Sequence, residues 1–261
     1  MGRPLRWQED KTIKGVMEVK ISSWKYFSDY INQEMLDYTT YIYRGHGDSK
    51  WKLEPTLDRI IKLPNSSKRR RHLEAFKYAA RGRRGFNPPK LENENDWWAL
   101  GQHHGLATPL LDWTKSPFVA LFFAASTALN EESDSFSVFA LSEDTINENN
   151  KKIKEDDKVK LVNSRKPTVR IVKPLTDENN RLVNQSGLFT RGPNNIDIEK
   201  WVKTFHSEND FLELIKMTMP NKNTIDCLRY LNRMNINHLT LFPDLAGASQ
   251  FCNKELEIKN Y

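Results

Sequence analysis

Residues 106–125 read LATPLLDWTKSPFVALFFAA, and this stretch limits the possible folds more than any other. Its first part, LATPLLDWT, is a short apolar run between turn residues, which is typical of a buried strand. Ser116 and Pro117 then open a helix, because serine is a favoured cap and proline is favoured at the first helical position. The apolar run from Phe118 to Ala125 suits a buried helix. Since other short strands lie between helices, we predict an α+β fold, one compact domain with a mixed sheet flanked by helices.

The remaining patterns predict further strands and helices. Strand patterns occur at Tyr41–Arg44, SFSVFAL, TVRIVKPL and RLVNQSGLFT, the last of which contains Gln185. Helical patterns occur at RRHLEAFKYAARG, NDFLELIKM and NTIDCLRYLNRM. Residues 143–163 are charged and poor in aromatics, so we expect an exposed polar insertion with one helix at most. The predicted organisation is a single domain over 1–261 with its core at about 21–250 and this insertion at about 143–163.

Composition excludes several classes of protein. The chain has 261 residues and is 38% apolar, which is enough for a sizeable core. It contains no apolar run near the roughly 18 residues that span a bilayer, so no membrane partner is expected. Its start lacks the apolar core of a secretory signal. The two cysteines, Cys227 and Cys252, form no disulfide framework, so we predict a cytoplasmic protein.

The segment YIYRGHG ends a predicted strand on Arg44, with Gly45 and Gly47 close behind it. A guanidinium suits a phosphate, and glycines let a ligand approach the backbone closely. We therefore weigh two partners for Arg44: an anionic ligand in a cleft, or Asp112 inside the fold. The glycines favour the cleft. His46 is either a donor to the same ligand or a histidine of the turn.

Two further groups of residues are candidates for binding. Asp112 leaves a buried strand, so its carboxylate requires a partner, and it either serves a ligand or caps the following helix. Trp113 either stacks on a ligand ring or packs in the core. His103 and His104 are adjacent and no further metal ligand has a zinc-like spacing, so no metal is expected, and His104 is the better candidate for a donor in the cleft.

The net charge is +6, and the excess is concentrated in residues 67–86. This segment holds eight of the 40 basic residues against one acid, which indicates a polyanionic partner or a solvated helix face. Nucleic acid, nucleotide phosphates and an acidic protein all fit. The sequence has no helix-turn-helix, zinc finger or aromatic RNA-binding platform. The candidate nucleic-acid contacts are Lys68, Arg69, Arg70, Arg71, Arg81, Arg83 and Arg84.

Four sequence blocks together resemble the FRG domain family. They are YRG, QHHGLATPLLDWTKSPFVALFFAA, RLVNQSGLFT and LFPDLAG, and in this order they extend the resemblance over roughly Ile21 to Gln250. The family usually has an acidic residue where Ala246 stands, whereas Asp244 is present. Genes of this family lie beside bacterial defence and toxin systems, so the resemblance implies an effector in phage defence or a toxin system.

The layout also resembles that of ADP-ribosyltransferases at the level of the fold. An aromatic–Arg–Gly strand end is followed by a threonine-bearing strand and a helix that ends in Phe-Phe-Ala. The resemblance implies NAD or a related nucleotide as substrate, with Gln185 near the reacting ribose. Because glutamine cannot act as a general base, a carboxylate such as Asp112 or Asp244 has to do so.

The resemblances imply an enzyme with two sets of site residues. Two other functions stay open: a non-catalytic nucleotide or nucleic-acid sensor, and a purely structural module. The catalytic candidates are Arg44, Gln185 and Asp112, and the nucleotide-binding candidates are Arg44, Gly45, His46, His104, Thr108, Trp113 and Thr114.

Overall fold

Eight strands form one mixed sheet in the computed structural model, which describes residues 5–174, 180–206 and 212–261. The strands are β1 (Trp7–Glu9), β2 (Val16–Ile21), β3 (Tyr41–His46), β4 (Leu110–Thr114), β5 (Ser135–Ser142), β6 (Arg170–Val172), β7 (Gly187–Arg191) and β8 (Leu214–Pro220). Their order is β1-β2-β8-β5-β3-β4-β7-β6, and only β2 and β8 run parallel within this described sheet. The predicted α+β class with a mixed sheet is confirmed.

Helices cover both faces of this sheet. A 3-10 turn at Trp24–Tyr26, α1 (Phe27–Tyr30) and a π turn at Ile31–Met35 form the first helical segment. The others are α2 (Thr56–Ile60), α3 (Lys68–Ala79), α4 (Glu94–His103), α5 (Pro117–Ala128), α6 (Glu143–Glu155), α7 (Asn180–Asn184), α8 (Ile198–Phe205), α9 (Thr224–Arg233), α10 (His238–Leu241) and α11 (Leu245–Glu257). In the described ranges, none of these helices has both the length and the apolar composition to cross a bilayer.

The predicted apolar helix is α5, and it is buried on one face of the sheet. Ser116 caps it by accepting a hydrogen bond from the Val119 amide at 3.3 Å, and Pro117 occupies its first turn as predicted. Its apolar side chains join one core cluster with Tyr43 of β3. The opposite face of the sheet carries a second cluster around Trp113, Phe139 and Trp201, against which α6 and α8 pack.

Gly45 and Gly47 allow α5 to approach β3 closely. A Cβ added to Gly45 would lie 2.0 Å from the carbonyl oxygen of Ala120 and 2.6 Å from the amide nitrogen of Ala124. A Cβ added to Gly47 would lie 2.6 Å from Cγ2 of Thr127. These distances are too short for any side chain. The backbone and side chains of α5 thus occupy the space that a side chain at either position would need, while a contact of a ligand with the backbone of these glycines stays a prediction.

The pairing between neighbouring strands is shortest between β3 and β4. Strand β3 pairs with β5 over its whole length, and β4 pairs with β7 over its whole length. Between β3 and β4 themselves, the described pairing is limited to Tyr43 opposite Thr114. Beyond this pair the two strands diverge, so the sheet consists of two halves that are joined at one point.

Two predicted elements differ in the structure. NDFLELIKM was predicted as a helix, but from Leu214 onward it is β8; its first three residues, 209–211, lie outside the described residues. Leu and Met favour helices in isolation, and burial between β2 and β5 outweighs that propensity. RLVNQSGLFT was predicted as one strand, but its first residues belong to α7 and the strand β7 begins only at Gly187. Residues 143–155 form α6, the single helix for which the predicted polar insertion left room, and its Ile146 and Ile153 are buried at helical spacing.

Replacing Gly45 by alanine should destabilise the fold, because its Cβ would overlap backbone atoms of α5 that have no room to move. We expect the Gly45→Ala substitution to lower the free energy of unfolding by about 3 kcal/mol, measured by urea denaturation. The matched control is Gly192→Ala, whose nearest new contact would be an ordinary 3.6 Å to Ile198. It should change stability by less than about 1 kcal/mol. Equal effects of the two substitutions would contradict the packing role of Gly45.

Candidate functional site

A cleft of about 370 Å³ lies where β3 and β4 diverge. Its walls come from both halves of the sheet, from the loop and helix after β3, and from α4, α5 and the α7–β7 turn. Its lining combines cationic, aromatic, acidic and amide side chains. The basic ones are Arg44, Lys52, Arg59, His103 and Arg181; the aromatic ones include Trp51, Phe123, Phe189 and Phe242; the acids and amides are Glu54, Asp112, Gln102 and Gln185.

Arg44 bridges the gap between the two diverging strands. Its Nη1 donates a hydrogen bond to the backbone carbonyl of Asp112 at 2.7 Å and lies 3.4 Å from the Asp112 carboxylate. The guanidinium thus takes the place of a backbone hydrogen bond between β3 and β4, which have diverged at this point. Burial lowers the pKa of Arg44, and the nearby Asp112 carboxylate opposes that shift. Arg44 therefore has a partner inside the fold, Asp112, while it also lines the cleft.

His46 holds the Arg44 side chain in place. Its Nε2 accepts a hydrogen bond from Nε of Arg44 at 3.1 Å, so Nε2 carries no proton. The ring is 5% exposed and makes edge contacts with Phe139 and Trp51. Burial first, and then the charge of Arg44, lowers the pKa of His46 to about 3. His46 is neutral at ordinary pH and its Nε2 acts as an acceptor for Arg44, while a role as a donor to a ligand stays a prediction.

Asp112 and Gln185 reach the same cleft as Arg44. The Asp112 side chain is 61% exposed, so its carboxylate is accessible to a ligand. Gln185 lies in the turn between α7 and β7, and not in a strand as predicted, because the strand begins only at Gly187. The backbone carbonyl of Gln185 accepts a hydrogen bond from the Thr114 hydroxyl at 2.6 Å. The side-chain Nε2 of Gln185 donates to the backbone carbonyl of Leu241 at 3.1 Å. Thr114 and Gln185 thus connect the half of the sheet that contains β4 and β7 to α10.

Three of the predicted binding residues have other roles. Thr108 is buried outside the cleft lining, where its hydroxyl bonds to Gln102 and to the amide of Leu110. His104 is exposed at the end of α4 and does not line the cleft, whereas the neighbouring His103 does. Trp113 borders the cleft, but its ring packs in the core, where its Nε1 donates to the Thr190 hydroxyl at 2.8 Å. The direction of each side chain from its strand or helix decides these outcomes.

Asp244 organises the rim of the cleft and does not line it. It caps α11 by accepting a hydrogen bond from the Gly247 amide at 2.9 Å, and it forms an ion pair with Arg181. These two contacts lower the pKa of Asp244. The Arg181 guanidinium also lies 5.3 Å from the ring centroid of Phe242. Asp244 therefore positions Arg181, and its proposed role as the base at the cleft is not supported.

Arg69 belongs to the interior and not to the basic surface on which the sequence placed it. Its Nη1 lies 2.6 Å from Oδ1 of Asp58, and its Nη2 donates to Asn195 and to the carbonyl of Ile61. Arg84 is partly buried, donates to the carbonyl of Pro89 and lies over the ring of Trp97. The exposed members of the predicted set are Lys68, Arg70, Arg71, Arg81 and Arg83.

Several cleft residues had not been identified from the sequence. Arg59, Lys52 and Trp51 follow the YRG motif within 15 positions, but only the path of the loop after β3 brings them to the cleft. Arg181 and Phe242 belong to the blocks RLVNQSGLFT and LFPDLAG, and their place in these blocks was the available signal. Within the described ranges, no three His, Cys, Asp or Glu side chains are grouped so that they could hold a metal ion.

Comparison with known families supports one part of the sequence-based identification. Residues 39–133 match the model of the FRG domain, so the chain contains an FRG domain. This segment includes the YRG motif, β4 and α5, whereas RLVNQSGLFT and LFPDLAG lie outside it. No curated protein and no solved structure gives a match. The resemblance to ADP-ribosyltransferases stays a prediction.

The buried ion pair predicts unequal effects for two neighbouring arginines. The Arg69 side chain is 10% exposed and that of Asp58 is 3% exposed, so removing Arg69 leaves a buried carboxylate without its partner. We expect the Arg69→Met substitution to lower the free energy of unfolding by about 3–5 kcal/mol. Arg70→Met, at an exposed site on the same helix, should change it by less than about 0.5 kcal/mol. Chemical denaturation of both variants tests this, and a stable Arg69→Met protein would contradict it.

The buried His46 predicts a specific pH dependence of stability. Its pKa is about 3 in the folded protein, against about 6.5 in an unfolded chain. Between these pH values the unfolded chain binds a proton that the folded protein does not, so this histidine lowers stability as pH falls. We expect the loss to be about 1.4 kcal/mol per pH unit.

The control is His46→Gln, which keeps a hydrogen-bond acceptor for Arg44 but has no titrating ring. Urea denaturation at pH 4, 5, 6 and 7 should show a shallower pH slope for this variant than for the wild type. Identical slopes would mean that His46 is protonated in the folded protein.

Proposed function

We propose that this FRG-domain protein binds NAD or a related nucleotide in the cleft between β3 and β4 and acts on its N-glycosidic bond. The family resemblance suggests that it does so as an effector of a bacterial defence or toxin system. The observation that carries the proposal is the lining of the cleft, where several guanidiniums, aromatic rings and an accessible carboxylate are all present.

The composition of the cleft matches that of a nucleotide. A dinucleotide has a diphosphate, two riboses and planar rings. Arg44, Arg59 and Arg181 provide forked donors for phosphate, and Trp51 and Phe242 provide surfaces for a ring. Because a metal-free diphosphate carries at least two negative charges, several cationic side chains in one cleft are what its binding requires. A cleft of about 370 Å³ is within the range of ligand sites.

The chemistry that we propose places Asp112 beside the reacting ribose. When the bond between the ribose and the nicotinamide nitrogen breaks, its electron pair leaves with the nicotinamide and positive charge develops on the sugar. A carboxylate next to that charge stabilises the transition state. Water or another acceptor then bonds to the anomeric carbon, and its proton passes to Asp112. Glu54 lines the same cleft, but its side chain is 22% exposed against 61% for Asp112, which makes Asp112 the more accessible carboxylate.

Arg44 and Gln185 have positioning roles in this proposal. Arg44 is held by His46 and by the Asp112 carbonyl, so a ligand that contacts it meets a donor that is already ordered. Gln185 is fixed between Thr114 and Leu241 at the opposite wall and can orient a sugar by hydrogen bonding. This arrangement supports the expected roles of Arg44 and Gln185, with Asp112 as the single proton acceptor.

Two substitutions separate binding from chemistry. Arg59→Ala removes an exposed cation whose described hydrogen bond is to Thr56, and we expect it to weaken nucleotide binding at least tenfold. Asp112→Asn keeps the backbone carbonyl that binds Arg44, so we expect nucleotide affinity within about threefold of wild type and turnover reduced at least a hundredfold. Binding is measured by calorimetry with NAD, ADP-ribose and AMP, and turnover by release of nicotinamide.

The control is Lys222→Ala, which removes the same charge at an exposed site outside the cleft and should leave both measurements unchanged. If none of the three nucleotides binds the wild type, the proposal is wrong. Binding without nicotinamide release, together with no fall of cellular NAD or growth on expression, would instead favour the nucleotide-sensing alternative.

A further inference from the structure

A second surface, which the proposed cleft chemistry does not use, lies on α3 and the loop that follows it. We call it the α3 surface and define it by six exposed side chains: Arg70, Arg71, Tyr78, Arg81, Arg83 and Phe86. Tyr78 is 70% exposed and Phe86 is fully exposed. Single exposed aromatic side chains are common, but here two occur in one segment together with four cations, a combination that can mark a binding surface.

The cations of the α3 surface are not neutralised by acids. The ion pairs of this segment are those of Arg69 with Asp58 and of Lys77 with Glu74. In the part of the chain that the structure describes, no carboxylate lies within 4.0 Å of the four arginines of the surface. The Arg81 guanidinium lies 3.7 Å from the ring centroid of Tyr78, so charge and ring are stacked together. The surface is therefore both positively charged and aromatic.

We propose that the α3 surface binds single-stranded nucleic acid. A single strand presents phosphates, which guanidiniums bind, and unstacked bases, which aromatic rings and guanidinium planes stack on. The bases of a duplex are stacked on one another, so a duplex would contact the arginines through its phosphates and would not stack on the rings of Tyr78 and Phe86. An acidic protein would also meet the charges but offers no planar groups that match the rings. The side chains present thus favour a single strand.

The α3 surface is held rigidly to the elements that form the cleft. The buried pair of Arg69 and Asp58 fixes α3 to α2. Ring contacts of Trp97 with Phe76 and Arg84 fix α3 and its following loop to α4. Because the surface and the cleft use different side chains, nucleic-acid binding does not depend on whether the cleft has the function that we propose.

The test is the binding of a fluorescein-labelled 20-nucleotide strand, as DNA and as RNA, to the full-length protein across a range of salt concentrations. We expect Arg70→Ala with Arg71→Ala to weaken binding about tenfold and to reduce the slope of log affinity against log salt by about 0.7 for each lost phosphate contact. Tyr78→Ala should weaken binding about tenfold with little change of that slope, whereas Tyr78→Phe, which keeps the ring, should bind as the wild type does.

The control with the same change of charge is Lys222→Ala with Lys259→Ala, two exposed residues that flank α9 and α11, and it should bind as the wild type does. Equal weakening in this control and in the Arg70 and Arg71 variant would overturn the proposal. So would duplex binding as tight as that of the single strand and insensitive to Tyr78. Tighter binding of polyglutamate, lost on the same substitutions, would show that the partner is an acidic protein and would also overturn it.

Discussion

The hydrogen bond from Arg44 to the carbonyl of Asp112 connects the two halves of the sheet beyond their single pairing point. Without it, the Asp112 carbonyl of β4 would lose this partner at the place where the strands diverge, and backbone groups without partners are costly. The same contact sets the width of the cleft, because the guanidinium spans the opening. The geometry of the cleft thus depends on one side chain and on the His46 ring that orients it.

Close packing of α5 against β3 also shapes the cleft. The glycines after Arg44 let the helix backbone lie directly against β3, so Phe123 and Thr127 reach the cleft from behind the strand. On the far side, Thr114 and Gln185 connect the second half of the sheet to α10, and Asp244 holds Arg181 at the rim. Each sequence block that resembles the FRG domain therefore contributes a contact that shapes or lines the same opening.

Much of the fold could be predicted from local pattern. The strand at Leu110–Thr114, the proline-initiated helix α5 and the strand ending near Arg44 were all predicted correctly, because each has an unambiguous periodicity or cap. The errors have separate causes. Strand β8 has helix-favouring residues and was assigned by propensity, whereas burial between two neighbouring strands decides its conformation. Gln185 was assigned to a strand because the pattern RLVNQSGLFT was read as one element, whereas its first residues belong to α7 and β7 begins only at Gly187.

The sequence by itself determined that Arg44 is special and that Asp112 is its nearest candidate partner, since both stand at the ends of apolar strands. It also determined that a basic segment lies between the two motifs. Only the tertiary structure decided that Arg44 contacts the backbone of Asp112, that the glycines serve helix packing, and that Arg69 is buried while Arg70 and Arg71 are exposed. The physical reason is that side-chain direction and burial depend on which elements pack against each strand or helix, and composition and spacing do not contain that information.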